Sequence, residues 1–155
     1  MKDYDDILVS LRQITRAIDI HSKNLQKSSG LTTSQLLVLE AIQKLESPTP
    51  SAVAKEIVLS QATVTNLLDR LQKRGLVSRT KLDKDKRRVN LQVTAEGEAL
   101  LKNAPEILQS EFLAKYRKLD TWERQMLVAS LSRIAAMMNA EDIDASPILI
   151  TGEIG

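Results

Sequence analysis

Three patterns in this 155-residue sequence predict a mostly α-helical chain with one small β-hairpin. Apolar residues recur three and four positions apart along most of its length, which is the helical period. Only two short runs read as strands, Leu76 to Lys81 and Val89 to Val93, on either side of a charged tip, and in the second Val89, Leu91 and Val93 alternate with Asn90 and Gln92. Breakers separate the pieces: Ser28-Ser29-Gly30, Ser47-Pro48-Thr49-Pro50 and Gly75.

In chain order, residues 5–27 carry Ile7, Leu11, Ile14, Ile18 and Leu25, alternately four and three apart when His21 fills the gap. That heptad-like seam packs best against a partner helix. His21 is read either as an interface histidine satisfied by a hydrogen bond or as a ligand-pocket contact or pH-sensitive group. Thr32 or Thr33 caps a second helix with Leu36, Leu37, Leu39, Ile42 and Leu45 inside. Thr49 is the next N-cap, with Pro50 at the first helical position and Val53, Ala54 and Ile57 facing inward. Ser60 caps the helix that follows, and Gly75 ends it in a left-handed turn.

That helix has two faces. Val64, Leu67, Leu68 and Leu71 form one apolar stripe, while Thr63, Thr65, Asn66, Asp69, Arg70 and Lys73 lie opposite. From Lys73 to Arg88 there are eight Lys or Arg and two Asp, although the whole chain is only +2. A basic element on a slightly acidic body is the electrostatic footprint of a nucleic-acid face. The same run also fits a solvated charged hairpin. Two short helices, a tight turn and a hairpin attached to the second helix make a winged helix-turn-helix. Such a fold places a helix in the major groove and the hairpin near the adjacent minor groove.

Thr94 caps the following helix, and Leu100, Leu101, Ala104, Leu108 and Phe112 continue its apolar side, with Pro105 kinking it or starting a new segment. Asp120 and Glu123 have capping-box spacing before a last helix with Leu127, Leu131, Ile134 and Met138. Trp122 is expected to anchor packing. Residues 141–155 hold four acids and no Lys or Arg and form a tail, in which Ile148-Leu149-Ile150 is apolar enough to dock on a partner. The division predicted is dimerisation helices at 5–30 and 95–140, a DNA-binding lobe at 31–94 and an acidic tail at 141–155. Terminal helices that cannot complete a core alone favour a bundle shared by two chains. Symmetric readers of duplex DNA use such a dimer to set two recognition helices roughly 34–36 Å apart.

Composition removes other classes. There are no cysteines, so disulfides, thiolate catalysis and a thiol redox sensor are excluded, and a single histidine rules out a multi-histidine metal site. No nucleophile motif, phosphate loop or metal pair is present, so neither an enzyme nor a cofactor is expected. No apolar run reaches the roughly 18 residues of a membrane span, and the acidic N-terminus lacks a signal-peptide core, so a cytoplasmic protein is expected. At 3% aromatic residues the chain lacks stacking platforms for single strands.

Several blocks resemble the MarR family of transcription regulators: Leu36 to Leu39, Val53-Ala54 through Ser60 to Leu71, Arg74-Gly75-Leu76-Val77-Ser78-Arg79, Asp83 to Arg88, and Leu91 to Gly97. The likeness spans about residues 5–140. It implies a homodimeric winged-helix protein, usually a repressor of a neighbouring operon at a pseudopalindromic operator. Many members are released by small aromatic or anionic ligands held between the dimerisation helices and the DNA-binding lobe. Two positions depart from the family pattern: Lys86 stands where an Asp often precedes the paired arginines, and Asn66 where many relatives carry Arg. The tail Asp144 to Ile150 is similar to a branch linked to compatible-solute genes. Base readout is assigned to Gln61, Thr63, Thr65 and Asn66, the last being suited to adenine. Phosphate contact is assigned to Ser60, Arg70, Lys73 and Arg79, and wing contact to Lys84, Lys86, Arg87 and Arg88. The missing carboxylate at Lys86 leaves a second reading, a winged-helix module for protein contact or ligand sensing without a specific operator.

Overall fold

A computed structural model describes residues 2–81, 89–143, 145–152 and 154. The elements are α1 (Asp3–Ser29), α2 (Thr33–Lys44), α3 (Pro50–Ile57), α4 (Gln61–Lys73), β1 (Val77–Lys81), β2 (Val89–Val93), α5 (Ala95–Asn103), α6 (Leu108–Tyr116) and α7 (Thr121–Met137). They fall into two compact units, Met1–Pro105 with Pro147–Gly155, and Glu106–Ser146. Wing-tip residues 82–88, which include Lys84, Lys86, Arg87 and Arg88, lie outside the described residues.

Local chemistry accounts for the helix starts in the first unit. Thr32 Oγ1 accepts the Gln35 N–H at 3.2 Å while Gln35 Oε1 accepts the Thr32 N–H at 3.1 Å, a reciprocal cap. Thr49 and Ser60 accept the N–H groups of Ala52 and Thr63, and Pro50 opens α3. Each such cap stabilises by about 1 kcal/mol. Between them, Val58 ends α3 in the left-handed region at φ 55°.

The core of this unit is aliphatic. Leu36, Val38, Leu39 and Ile42 of α2 meet Val53 and Ala54 of α3, the α4 stripe, and Leu76, Val77, Leu91 and Val93 of the hairpin. Val64, Leu67, Leu68 and Leu71 are all at most 1% exposed, as their spacing predicts. The hairpin is antiparallel, with Val77 opposite Val93, Arg79 opposite Leu91 and Lys81 opposite Val89. On its other side β2 is held to the α2–α3 turn, where the Leu91 N–H donates to Pro48 O at 2.8 Å.

The hairpin base and α5 meet without a side chain between them. Thr94 Oγ1 donates to Gly75 O at 2.6 Å and accepts the Gly97 N–H at 3.1 Å, and the Thr94 N–H donates to Leu76 O. A Cβ at Gly97 would lie 2.4 Å from Leu76 O and 2.6 Å from Val93 Cγ1.

The α1 seam is only partly covered by its own chain. Leu25 is buried, Leu11, Ile18 and His21 are half-buried, and Ile7 and Ile14 are exposed. At Pro105 the chain starts a new segment: α5 ends at Asn103 and α6 begins at Leu108.

In the second unit neither α6 nor α7 buries a residue. Glu123 Oε2 accepts the Asp120 N–H, the expected cap, and Arg124 lies over the Tyr116 ring at 5.3 Å. Trp122, expected to anchor packing, sits in the first turn of α7 and is 62% exposed, so its own chain supplies no packing for it. The tail also differs from the expectation of docking on a partner. Ile148 is buried, and Pro147–Gly155 groups with the first unit of its own chain.

Two substitutions test this packing with opposite signs. Gly97→Ala should destabilise by about 1–3 kcal/mol, because a backbone carbonyl must move. Val58→Gly should stabilise by about 1 kcal/mol, relieving a left-handed β-branched residue. Urea unfolding midpoints at unchanged m-value check both; a neutral Gly97→Ala would contradict the close approach.

Candidate nucleic-acid interface

Helix α4 owes its orientation to the buried stripe, which leaves the opposite side to solvent. Gln61, Thr65, Asn66, Arg70 and Lys73 are exposed, and their side chains make no hydrogen bond or ion pair among the described residues. An amide pair, a hydroxyl and two cations therefore stand unpartnered along one helix face, a shape and chemistry that the major groove accommodates.

The other assigned residues are already engaged. Ser60 Oγ and Thr63 Oγ1 are 2.8 Å apart, so Thr63 is half-buried in the cap network. Ser60 remains exposed at the positive end of α4, where helix dipole and free N–H groups favour a phosphate. Arg79, on β1, donates from Nη2 to Asp69 Oδ1 of α4 at 2.8 Å, and its Nε is buried without a partner. This pair, with side chains 27% and 49% exposed, sets the hairpin against α4 more than it stabilises the fold.

Two residues had no site role assigned from sequence. Asp69 is one, as the partner of Arg79. Arg74 is the other: just past α4, it donates from Nη1 to Gly30 O at 2.7 Å and from Nη2 to Ser29 O at 3.5 Å, gripping the carbonyl end of α1. The partners are 44 and 45 residues apart, so no local pattern signals them. Gly30, at φ 70°, leaves room for the guanidinium; a Cβ there would lie 3.1 Å from Arg74 Nη2.

A cavity of about 240 Å³ opens where α1 meets the start of α2. Asp19, Ser22, Lys23 and Gln26 line it from α1, Thr32 to Ser34 from the α2 cap, and Ile150 and Thr151 from the tail. His21 is not among its lining residues.

A helix pair with a tight turn, a second helix whose polar face is free, and a hairpin fixed to that helix define a winged helix-turn-helix, the module of a DNA-binding transcription regulator. Comparisons with known proteins agree. The sequence profile of the MarR family matches residues 31–89. The chain is 34% identical over 108 residues to the uncharacterized HTH-type transcriptional regulator YhbI of Bacillus subtilis, covering 68% of this chain and 70% of that one. It is 28% identical over 141 residues to the HTH-type transcriptional repressor MdtR of the same organism, covering 90% and 88%. In fold it is similar to the S. aureus MepR–DNA complex, with a TM-score of 0.59 at 20% identity over 89% of this chain and 99% of that one. The chain belongs to the MarR family.

The Asp69–Arg79 contact is testable without DNA. A double-mutant cycle of Asp69→Ala and Arg79→Ala in urea unfolding should give a coupling of about 0.5–1 kcal/mol. Strict additivity would remove the pair as the device that orients the hairpin.

Proposed function

We propose that this regulator works as a homodimeric repressor in the cytoplasm, bound to a pseudopalindromic operator and relieved by a small molecule. The observation that carries this reading is the unpartnered polar face of α4, held opposite a fully buried stripe. Gln61, Thr65 and Asn66 are proposed to read base edges, with Thr63 shaping the helix start through Ser60. Arg70 and Lys73 hold phosphates along the flank, and Ser60 does so at the N-terminus. Arg79 contributes by placing the hairpin and by its charge. Lys84, Lys86, Arg87 and Arg88 supply the wing contact.

Dimerisation through residues 5–30 and 95–140 is supported by apolar surface that the single chain leaves uncovered. Tyr4, Ile7, Leu8 and Ile14 of α1 and Trp122, Met126, Val128 and Leu131 of α7 are each between 44% and 62% exposed. Runs of this kind on consecutive helical turns mark an interface. A second chain would let two α4 helices address the two halves of a symmetric site. No helix among the described residues is long and apolar enough to cross a membrane. Genes for compatible solutes, to which the tail's resemblance points, are the first operators to try.

Duplexes selected from a random pool provide the test. Asn66→Ala should cost about 1–3 kcal/mol on the selected site and little on scrambled DNA. Lys73→Ala should weaken both and lower the salt slope by about one unit. Equal losses for Asn66→Ala on both sequences would remove it from base readout. Sedimentation equilibrium should give twice the 17.3 kDa chain mass; a monomer protecting a two-fold site would contradict the shared bundle.

A further inference from the structure

Helix α1 is buried only near its C-terminal end. Of its 27 residues, Leu25 and Ser29 alone are buried, and Leu31, just beyond the helix, is fully buried. A helix of that length spans about 40 Å, so the exposed Tyr4, Ile7 and Leu8 stand far from the attachment.

Two kinds of contact make the attachment. Leu25 and Leu31 bury aliphatic surface, a non-directional interaction that fixes proximity and leaves an angle free. The polar contacts supply direction. Ser29 Oγ donates to Leu25 O at 2.6 Å and accepts the Leu31 N–H at 3.2 Å, which shapes the turn at Gly30. Carbonyls at a helix C-terminus lack helical N–H partners, and the helix dipole makes that end negative. Arg74 fills this role from another element: Nη1 lies 2.7 Å from Gly30 O, and Nη2 lies 3.5 Å from Ser29 O, at the long end of the range. A charged, planar guanidinium set against two successive carbonyls holds a direction as well as a distance.

The other end of this contact is α4, since Arg74 is its C-cap residue. Arg70 and Lys73 in the same last turn make no such bond, whereas the Arg74 donors are occupied within the chain. The joint therefore ties the angle of a long helix to the recognition helix. Length amplifies any error there: about 5° of rotation moves the far end of a helix of about 40 Å by about 3.5 Å, close to the rise of one base pair.

We infer that Arg74 is a positioning residue: by holding α1 at a fixed angle to α4, it sets the half-site spacing that the dimer accepts. This deepens the dimeric, operator-binding reading and rests on it for the spacing; the rigidity of the joint is a property of one chain.

Both parts are measurable. The chain has no cysteine, so Gln13→Cys on α1 and Gln72→Cys on α4, both exposed positions, take one spin label each. Dipolar distance measurement on this chain, diluted with unlabelled parent, should give a narrow distribution. Arg74→Ala should widen it, and Arg74→Lys, which can reach one carbonyl but not two, should fall between. On the selected two-fold duplex, one base pair inserted between the half-sites should weaken parental binding about tenfold or more, and Arg74→Ala binding about threefold or less. The salt slope should stay unchanged in Arg74→Ala, while Lys73→Ala lowers it and keeps the parental spacing ratio. If Arg74→Ala does not fold, Arg74→Lys carries both comparisons. An unchanged distance distribution, or a parental spacing ratio in the variant, overturns the inference. So does a uniform loss of affinity with a salt slope lower by about one unit, which would make Arg74 a phosphate contact. A widened distribution in a protein that selects no two-fold site would leave the joint standing and remove the operator reading alone.

Discussion

Burial of Val64, Leu67, Leu68 and Leu71 is the constraint on which the rest of the structure depends. Removing four aliphatic side chains from water is worth roughly 2 kcal/mol each, so α4 cannot rotate about its axis without a large loss. Its azimuth is thereby set, and with it the direction in which Gln61, Thr65 and Asn66 stand. A polar face needs no internal partner to hold its direction when the opposite face is locked in this way, so its hydrogen-bonding groups stay free for another molecule.

Position along the helix axis is controlled separately. At the start, Ser60 and Thr63 close the first turn; at the end, Arg74 grips the last carbonyls of α1. Besides its buried core residues and the Leu91 N–H bond to Pro48 O, the hairpin is held by the Asp69–Arg79 pair and by the close junction of Gly97 with Leu76. The ion pair is partly exposed and stabilises little, whereas the glycine junction is steric and tolerates no added methyl.

Legibility in the sequence followed sequence distance. The α4 stripe, the caps at Thr49, Ser60 and Thr94 and the turn at Gly75 were readable because helical period and capping are local properties, determined within four residues. The polar face of α4 followed from the stripe as its complement. The Arg74 grip on Ser29 and Gly30 and the Asp69–Arg79 pair were not, because an arginine donates equally well to a phosphate, a carbonyl or a carboxylate and only the fold chooses. Trp122 was legible by its size as a packing residue but not by what it packs on: α6 and α7 bury none of their residues within the chain. The tail was legible as an acidic end with an apolar Ile148-Leu149-Ile150 that docks, but not where it docks: Ile148, beyond Pro147, is buried in the first unit of its own chain.

The central claim is that the free face of α4 reads a sequence and does not merely neutralise phosphates. Retention of sheared genomic fragments on the purified protein, washed at rising salt and then sequenced, tests it most directly. The structure predicts that a few fragments sharing a two-fold motif survive after bulk DNA has washed away, since base contacts outlast the counterion-release contribution. Uniform loss of all fragments along one salt curve would contradict it, leaving α4 as a charged surface only.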